Sequence, residues 1–405
     1  MSENKEKYKN IKKLEDMIRS CSGIGDCREA YMFSVKREQV CPVYEHSPKF
    51  EAYSARGRLR ILLGILEGNL EVSRKMAEVF YQCTTCGDCH TICHGAYHDC
   101  INLYVQSYID HVKVWEAFRA DLFDLGLAMP RHLELLGSMN ENYNPYFEKH
   151  EDRIKWLGDR KFPETAENLF FMGCTEPYRM PDLIKTIFRV LDKVGIDYTI
   201  VHPNEVCCGS IALRVGDVNT AKNLAEKNIE AFKKSGAKRI LVHCAGCYKT
   251  IKLNYPELLD LELPFEVVHI TEVLDQLLDE GKVKLIKEVN DKVAYHDPCH
   301  LGRADNVYEA PRNLLKAIPG LEFIEFDRIK ENAWCCGAGG GMKSAYADKA
   351  VEIAIDRIKE AEKIGVNKIA SACPFCEMNL QDAINELDSE IEIIDVLELV
   401  DEALE

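Results

Sequence analysis

Two stretches of the chain carry the same set of five cysteines in the same order. The first set is Cys174, Cys207, Cys208, Cys244 and Cys247, and the second is Cys299, Cys335, Cys336, Cys373 and Cys376. Each set contains a single cysteine, a Cys-Cys-Gly run and a Cys-x-x-Cys pair, and corresponding cysteines lie 125 to 129 positions apart. An internal repeat at a near-constant period indicates one supersecondary unit that is used twice.

The number of thiols in each set favours a cluster of several iron atoms. Thiolates are soft ligands that select iron–sulfur clusters, zinc or copper(I). A structural zinc takes four ligands in a tetrahedron, and the adjacent side chains of Cys207 and Cys208 fit poorly on one such ion. A zinc-stapled scaffold without redox activity is the alternative of another class. Disulfides are disfavoured because the N-terminal sequence MSENKEKYKN has no apolar signal segment, which predicts a reducing, cytoplasmic location.

A further group of cysteines precedes the repeats. Its regular part is a C-x2-C-x2-C-x3-C run formed by Cys83, Cys86, Cys89 and Cys93. In ferredoxins this spacing lets three thiolates bind one cubane while the fourth binds the other. Its irregular part consists of Cys21, Cys27 and Cys41, and Ile24 occupies the position where a regular run has a cysteine.

The irregular part leaves the ligands of the second cubane open. By the cross-over rule, one cubane is completed by Cys83, Cys86, Cys89 and Cys41. Cys21, Cys27 and Cys93 then lack a fourth thiol, which Cys100 is near enough in sequence to supply. Alternatively, one cluster uses Cys21, Cys27, Cys41 and Cys93, and Cys100 joins the other. A three-iron cluster or an empty site is also open, and two cubanes are favoured. The nearby histidines are expected to be core or surface residues rather than ligands: His94, His98, His111 and His132.

Two local motifs suggest other cofactors. Cys86 to His90 match C-x-x-C-H, the signature of c-type haem attachment, but haem does not require Cys83 and Cys93 at ferredoxin spacing. The glycine-rich run at 337–341 resembles a nucleotide-binding loop, yet no lysine in the Gly-Lys-Ser/Thr context of a P-loop follows it. We expect these glycines to let backbone N–H groups approach cluster sulfurs.

Strand and helix patterns alternate throughout both repeats. Strands are predicted at 168–174, 197–201, 239–243, 265–270, 292–296, 322–326 and 367–371, and the main intervening helices at 181–194, 217–235, 271–280, 310–318 and 343–364. This alternation predicts parallel βαβ units. The cysteines fall just past the carboxyl ends of strands, where open α/β sheets place their sites.

The expected fold class is α+β and α/β. Helices are predicted at 51–68 and 71–82, within a helical, two-cluster, ferredoxin-like domain. The predicted domains are this ferredoxin-like domain at 1–115, a helical connector at 116–165, and two tandem βαβ-type repeat domains at 166–285 and 286–405.

Composition excludes several classes of partner. The chain has 405 residues, a formal net charge of −16 and 46% apolar residues. This balance argues against a nucleic-acid or anionic-membrane surface, since both need basic residues. No run approaches the 18 apolar residues of a membrane span, so any membrane attachment is expected through a partner.

The repeated pattern resembles the cysteine-rich CCG domain. That domain occurs in the B and D subunits of heterodisulfide reductase and in the iron–sulfur subunits of glycolate oxidase, lactate-utilisation proteins and anaerobic glycerol-3-phosphate dehydrogenase. The N-terminal segment also resembles a CxGxGxCR…CPxY…S/T-x-RGR variant in iron–sulfur domains tied to flavin-linked 2-hydroxyacid dehydrogenases. The matching residues are Cys21, Gly23, Gly25, Cys27, Arg28, Cys41, Pro42, Tyr44, Ser54, Arg56, Gly57 and Arg58.

The resemblance implies a cofactor set and a function. It implies two non-cubane 4Fe-4S clusters, each held by five cysteines, beside two 4Fe-4S cubanes, and two repeats related by an approximate twofold axis. It implies an oxidoreductase component, similar to the heterodisulfide reductase D subunits, in which the paired non-cubane clusters reduce a disulfide. The alternative is the electron-accepting component of a flavin-linked 2-hydroxyacid (glycolate or lactate) or glycerol-3-phosphate dehydrogenase. The implied partner is a flavoprotein dehydrogenase, an electron-transfer flavoprotein or another redox protein.

Overall fold

The computed structural model describes residues 7–28, 39–93 and 109–405. The chain forms two compact units, each of which draws on separated stretches of sequence. The N-terminal unit comprises 1–133, 211–217 and 331–354, and the sheet unit comprises 134–210, 218–330 and 355–405.

The N-terminal unit is helical. The helix Ala55–Leu66 begins where the Ser54 side chain accepts a hydrogen bond from the Gly57 amide, and it buries an apolar face. The helix Arg74–Tyr81 is capped in the same way by Ser73. The helices predicted at 51–68 and 71–82 are therefore confirmed, with a separate 3-10 turn at Glu51–Tyr53.

The centre of this unit is the helix His111–Asp124, which Asp110 caps. Its Trp115, Phe118 and Leu122 side chains are fully buried. The shorter helices in the described part of the unit are Lys9–Lys12, Glu15–Arg19, Pro42–Glu45, Asp88–Thr91 and Met342–Ala345. Three helices continue from one unit into the other, namely Pro130–Asn142, Ser210–Val215 and Ala347–Ile364.

The sheet unit contains two four-stranded parallel sheets. The first is formed by β1 (Asn168–Phe171), β2 (Tyr198–Thr199), β3 (Arg239–Val242) and β4 (Glu266–His269). The second is formed by β5 (Lys292–Tyr295), β6 (Glu322–Ile324), β7 (Lys368–Ser371) and β8 (Glu392–Asp395). Their strand orders, β2-β1-β3-β4 and β6-β5-β7-β8, are the same. The predicted repeat of parallel α/β units is confirmed, and every residue of β1 is buried, as expected for a strand covered on both faces.

Helices connect successive strands. The helices in the described part of the sheet unit are Thr175–Arg179, Pro181–Lys193, Val218–Lys234, Ala245–Lys249, Tyr255–Leu259, Ile270–Asp279, Gly302–Asp305, Glu309–Ala317, Pro374–Leu387 and Val396–Ala403, with a 3-10 helix at His150–Leu157. The predicted helix 343–364 is interrupted at Tyr346. The predicted strand 197–201 has only the two residues of β2. The sequence did not indicate β8 or the final helix.

The two repeats exchange helix contacts reciprocally. The helix Pro181–Lys193 of the first repeat packs on Val396–Ala403, the last helix of the second. The helix Ile270–Asp279, which ends the first repeat, packs on Glu309–Ala317 of the second. The last helix of each repeat therefore packs on a helix near the start of the other repeat.

Candidate metal centres

One cavity of the N-terminal unit brings four cysteines together. Cys41, Cys83, Cys86 and Cys89 line an opening of about 350 Å³. Burial raises the pKa of Cys41 to about 12 and raises the pKa of Cys89 well above its usual value. These thiols therefore hold their protons at neutral pH, and metal binding must displace them. The four are the set that the cross-over rule predicts for one cubane.

A second cavity of the same unit contains three cysteines. Cys21, Cys27 and Cys93 line it, together with Arg56 and His111, and its volume is about 390 Å³. Burial raises the pKa of Cys27 to about 12. The candidate fourth thiol, Cys100, lies outside the described residues.

The Arg-Gly-Arg run at 56–58 shapes both cavities. Arg56 donates through Nη1 to the carbonyl oxygens of Gly23 and Ile24, over 3.2 and 3.3 Å, and so holds the loop between Cys21 and Cys27. Arg58 is buried and lines the four-cysteine cavity, where its positive charge opposes the rise in the pKa of Cys41.

Gly57 is required by the same packing. A Cβ atom at Gly57 would overlap the backbone carbonyl of Glu51. The Glu51 side chain in turn pairs with Arg28 and Arg56, at 2.9 and 2.6 Å. The run therefore contributes Arg56 to one cysteine-lined cavity and Arg58 to the other. Its position is fixed by the ion pair of Arg56 with Glu51 and by the close contact of Gly57 with the Glu51 carbonyl.

Arg119 links the ferredoxin-type run to the Cys-Cys-Gly loop of the second repeat. Its fully buried guanidinium donates to the carbonyl oxygen of Cys83 over 2.6 Å and to that of Gly340 over 2.8 Å. It also donates to the carbonyls of Phe80 and Arg214. Sequence reasoning missed Arg119, because the helix His111–Asp124 carries several other charged residues that do not distinguish it.

Backbone N–H groups approach sulfur atoms in the Cys-Cys-Gly loops. Gly337 N–H donates to Cys335 Sγ over 3.4 Å. In the first repeat, the Gly209 amide hydrogen-bonds Cys207 in the same register. Gly337 therefore brings its N–H group to the sulfur of a candidate ligand, and in both loops the first cysteine of the pair is the acceptor.

The first five-cysteine set converges within the sheet unit. Cys174 Sγ lies 3.8 Å from Cys207 Sγ. Hydrogen bonds continue from Cys207 to Cys208, from Cys208 to Cys247 and from Cys247 to Cys244. All five side chains are buried. The contact with Cys207 and burial raise the pKa of Cys174, whereas bonds from the Cys174 and Cys208 thiols lower the pKa of Cys207.

Polar side chains fix the loops that carry this set. Asn228 donates to the carbonyl oxygen of Cys207 over 3.1 Å, and the Tyr255 hydroxyl donates to that of Cys208 over 3.0 Å. Beside Cys174, the buried guanidinium of Arg153 donates to the Gly173 carbonyl and to Glu205. Sequence reasoning found none of these residues, because each is selected by a contact distant in sequence.

The second set is divided between the two units. Cys299 follows β5, Cys373 follows β7, and Cys376 lies in the helix Pro374–Leu387, all in the sheet unit. Cys335 and Cys336 belong to the N-terminal unit. Within the sheet unit, a hydrogen bond joins the Cys244 and Cys373 side chains, so the Cys-x-x-Cys pairs of the two repeats are adjacent.

A buried cluster of charges lies beside that junction. His243 Nε2 is 2.9 Å from Asp395 Oδ2 in the second repeat, and His243 Nδ1 is 3.3 Å from Glu176 Oε1 in the first. Burial opposes a charge on His243, but the two carboxylates outweigh it and raise its pKa well above the usual value. Glu377 contacts Asp395 and accepts from the Cys373 amide, and burial raises its pKa.

The donor chemistry fits iron–sulfur clusters. Thiols converge in buried positions, backbone N–H groups approach sulfur atoms, and buried arginines lie nearby, as clusters with net negative charge require. Helical cysteine-lined cavities together with two α/β repeats define an iron–sulfur protein built from a dicluster region and two cysteine-rich repeats.

Comparisons with known proteins identify the family. Residues 168–252 and 293–381 match the cysteine-rich CCG domain, and residues 37–95 match the 4Fe-4S dicluster domain. The D subunit of the dihydromethanophenazine:CoB–CoM heterodisulfide reductase from Methanosarcina acetivorans is 38% identical over 98% of this chain and 96% of its own. The B subunit of the fumarate reductase (CoM/CoB) from Methanothermobacter marburgensis is 30% identical over 98% of this chain and 74% of its own.

The chain belongs to the family of heterodisulfide reductase D subunits and is an iron–sulfur component of an oxidoreductase, as its cysteine pattern predicted. One crystal structure, of a hypothetical protein from Helicobacter pylori, aligns with a TM-score of 0.53 at 10% identity over 99% of this chain and 76% of its own. That likeness concerns the fold alone. No helix within residues 7–28, 39–93 and 109–405 has the length and apolar composition needed to cross a bilayer.

Proposed function

We propose that this chain is the electron-transferring and disulfide-reducing component of a redox complex. The reaction cleaves one S–S bond, consumes two electrons and two protons, and releases two thiols. The observation that carries the proposal is the continuous run of thiol contacts through the first cysteine set, which reaches the second set where Cys244 meets Cys373. Because the two cysteine sets are adjacent, each could bind one of the two sulfur atoms of a disulfide substrate.

The cysteines are assigned to four clusters. One cubane is held by Cys41, Cys83, Cys86 and Cys89, and a second site uses Cys21, Cys27 and Cys93. The two non-cubane clusters are held by Cys174, Cys207, Cys208, Cys244 and Cys247, and by Cys299, Cys335, Cys336, Cys373 and Cys376. When bound, the clusters supply one-electron redox chemistry, and the protein supplies ligands, spacing and local charge.

Backbone contacts within the N-terminal unit support a short electron route from the four-cysteine cavity to the loop that carries Cys335 and Cys336. Arg119 holds the carbonyl oxygens of Cys83 and Gly340 together. Gly340 packs so closely that a Cβ atom there would overlap the Cys83 carbonyl. Since Cys336 lies four positions before Gly340, this contact places two cysteine-bearing loops side by side within the N-terminal unit.

Buried acid groups support the proton requirement. Glu176 and Glu377 lie next to ligand cysteines of different repeats, and His243 and Asp395 connect them. A disulfide that is reduced at this junction therefore has groups able to hold protons nearby, without open solvent. The reciprocal helix contacts and the equal strand orders support an approximate twofold relation between the two repeats.

The electrons come from a partner, because the sequence shows no flavin or nicotinamide motif. The relatives' names include both a heterodisulfide reductase and a CoM/CoB fumarate reductase. The second candidate function, acceptance of electrons from a flavin-linked 2-hydroxyacid dehydrogenase, is favoured by the Cys21–Arg58 segment. Its arginines and glycines make the contacts described above.

A substitution within the first set tests the proposal. Anaerobically purified protein is expected to contain roughly 16 iron atoms per chain if four four-iron clusters form. Cys208→Ser is expected to abolish reduction of the CoB–CoM heterodisulfide by a chemical reductant, while the cubane EPR signals remain reducible. Cys83→Ser is the matched comparison, since it removes a cubane signal and leaves the first set intact.

Three results would overturn the proposal. Stoichiometric zinc with negligible sulfide would indicate the scaffold alternative. Unmodified protein that is inert towards the heterodisulfide, yet rapidly reduced by a 2-hydroxyacid dehydrogenase flavoprotein, would establish the second candidate function. Full activity in Cys208→Ser would place the reaction elsewhere.

A further inference from the structure

Among the residues that the structure describes, three cysteines line the second cavity of the N-terminal unit, one fewer than a cubane binds. Cys21, Cys27 and Cys93 line it, whereas a four-iron cluster has four corner irons to bind. The position that holds the missing cysteine in a regular run is occupied by Ile24, whose side chain is 60% exposed. That position supplies no ligand, so the fourth donor must be another residue, and His111 is a nitrogen donor on the described part of the cavity wall.

His111 lines that wall, and its ring has the hydrogen bonding that is common in metal-binding histidines. It is the first residue of the helix His111–Asp124 and is 1% exposed. Its Nδ1 atom is 3.1 Å from the carbonyl oxygen of Ile109. A carbonyl oxygen only accepts, so Nδ1 carries the hydrogen and the lone pair lies on Nε2. A metal-binding histidine is commonly oriented by such a bond from its other nitrogen to a backbone carbonyl.

Neighbouring aromatic rings hold the His111 ring in place. The rings of His90 and Trp115 pack against it with centroids at 6.4 and 6.0 Å. Among the described residues of this wall, Asp26 also offers carboxylate oxygen atoms and is 5% exposed.

We propose that His111 Nε2 is the fourth ligand of the cluster bound by Cys21, Cys27 and Cys93. This assignment rests on the proposed function only in requiring a cluster at that site. A neutral imidazole in place of a thiolate makes the cluster one charge less negative, and histidine ligation raises the reduction potential of iron–sulfur centres. The two N-terminal clusters then differ in potential, and the histidine-bound one accepts electrons first.

Pulsed EPR of the unmodified holoprotein tests the assignment without a substitution. The reduced cluster is expected to show a strong nitrogen hyperfine coupling that changes when the protein is labelled with 15N-histidine. His111→Ala is expected to lose this coupling and about one iron atom per chain, and to show the oxidised-state signal of a three-iron cluster. His111→Cys is expected to retain four irons at the site and to shift its midpoint potential downward.

His90→Ala is the matched control, because His90 Nδ1 bonds the same Ile109 carbonyl at 2.8 Å but does not line the cavity. It is expected to keep the coupling and the iron content. The proposal is overturned if the unmodified protein shows a four-iron cluster without nitrogen coupling, or if Cys100→Ala or Asp26→Asn alone converts the site to three irons. A three-iron signal in unmodified protein also overturns it. A site without any iron would instead contradict the cluster assignment of the proposed function.

Discussion

At the scale of single residues, glycine is what allows two cysteine-bearing loops to touch. A Cβ atom at Gly339 would lie 2.5 Å from the carbonyl oxygen of Thr84, and one at Gly340 would overlap that of Cys83. The sequence predicted glycines that bring N–H groups to sulfur, and Gly337 does this. Gly339 and Gly340 differ from it, because their lack of a side chain lets the backbone of Cys83 and Thr84 pack against them.

Gly340→Ala is therefore expected to destabilise the protein more than a glycine substitution of equal backbone strain. Gly340 and Gly365 both have left-handed backbone, with φ of +63° and +69°, so alanine strains both by about 1–2 kcal/mol. Only Gly340 lacks space, and forced overpacking adds about 1–3 kcal/mol. Denaturant unfolding of the two holoproteins measures the difference.

Gly365 is the control because, among the described residues, nothing lies within 4 Å of its would-be Cβ atom. If both substitutions lower the free energy of unfolding equally, the contact between Gly340 and Cys83 is not as tight as described. A further check is the rate at which electrons pass from the cubanes to the second repeat, which should fall in Gly340→Ala alone.

At the scale of elements, the sequence predicted the strands and helices that have a regular apolar pattern. It missed those that are fixed by contacts with residues distant in sequence. Apolar runs located seven strands and the helices between them, because a strand buried on both faces is readable as a run. Proline is the second residue of the helix Tyr255–Leu259. In a sequence, a proline at the start of a helix is easily mistaken for one that ends a helix. The final strand β8 is half polar, and its role is fixed by pairing with β7.

The candidate site shows the same division. Cysteine spacing predicted groups of cysteines that the structure brings together, since ligands of one cluster are expected to recur at distances set by the local fold. The cavity grouping of Cys41 with Cys83, Cys86 and Cys89 followed from the ferredoxin spacing. Arg119 could not be placed from sequence, because the Gly340 carbonyl it binds is 221 positions away.

Asp395, the last residue of β8, makes contacts both within its own repeat and with the first repeat. Its Oδ1 atom accepts from the Leu397 amide at 2.7 Å and so caps the last helix, while Oδ2 pairs with His243. Asp395→Ala removes both, and breaking a buried ion pair costs about 3–5 kcal/mol, with about 1 kcal/mol more for a lost cap. Thermal unfolding is the measurement.

Asp182→Ala is the comparison, since Asp182 pairs with Lys185 on the surface with its side chain 93% exposed. Surface pairs contribute about 0–1 kcal/mol. Asp395→Asn is expected to lie between the two, because an amide oxygen can still cap the helix. A stability of Asp395→Ala equal to that of Asp182→Ala would show that the His243 pair contributes nothing.

At the scale of the whole molecule, metal and fold are coupled. Seventeen described cysteines lie in or beside the sites and none is in a disulfide. The thiols of Cys27, Cys41 and Cys89 have raised pKa values because they are shielded from water, so the metal-free protein keeps them protonated at neutral pH. Binding to the folded chain alone stabilises it by linkage.

Removal of iron under anaerobic conditions is therefore expected to lower the melting temperature and to increase hydrogen exchange around the N-terminal cavities. Reconstitution with iron and sulfide should restore both, and zinc should not. Calorimetry of the holoprotein and of the stripped protein checks this. Identical melting curves for the two would mean that the cysteine-lined cavities are formed and stable without any cluster.

The contact between Gly340 and the Cys83 carbonyl also sets an order of biogenesis. A ribosome releases the chain from its N-terminus, so the ferredoxin-type run emerges long before Gly340 and Arg119 can clamp its backbone. The cluster carriers of the cell therefore meet this run in an open state, accessible to them and to oxygen alike. The segment 331–354, which carries Gly340, can pack against this run only after it has been synthesised.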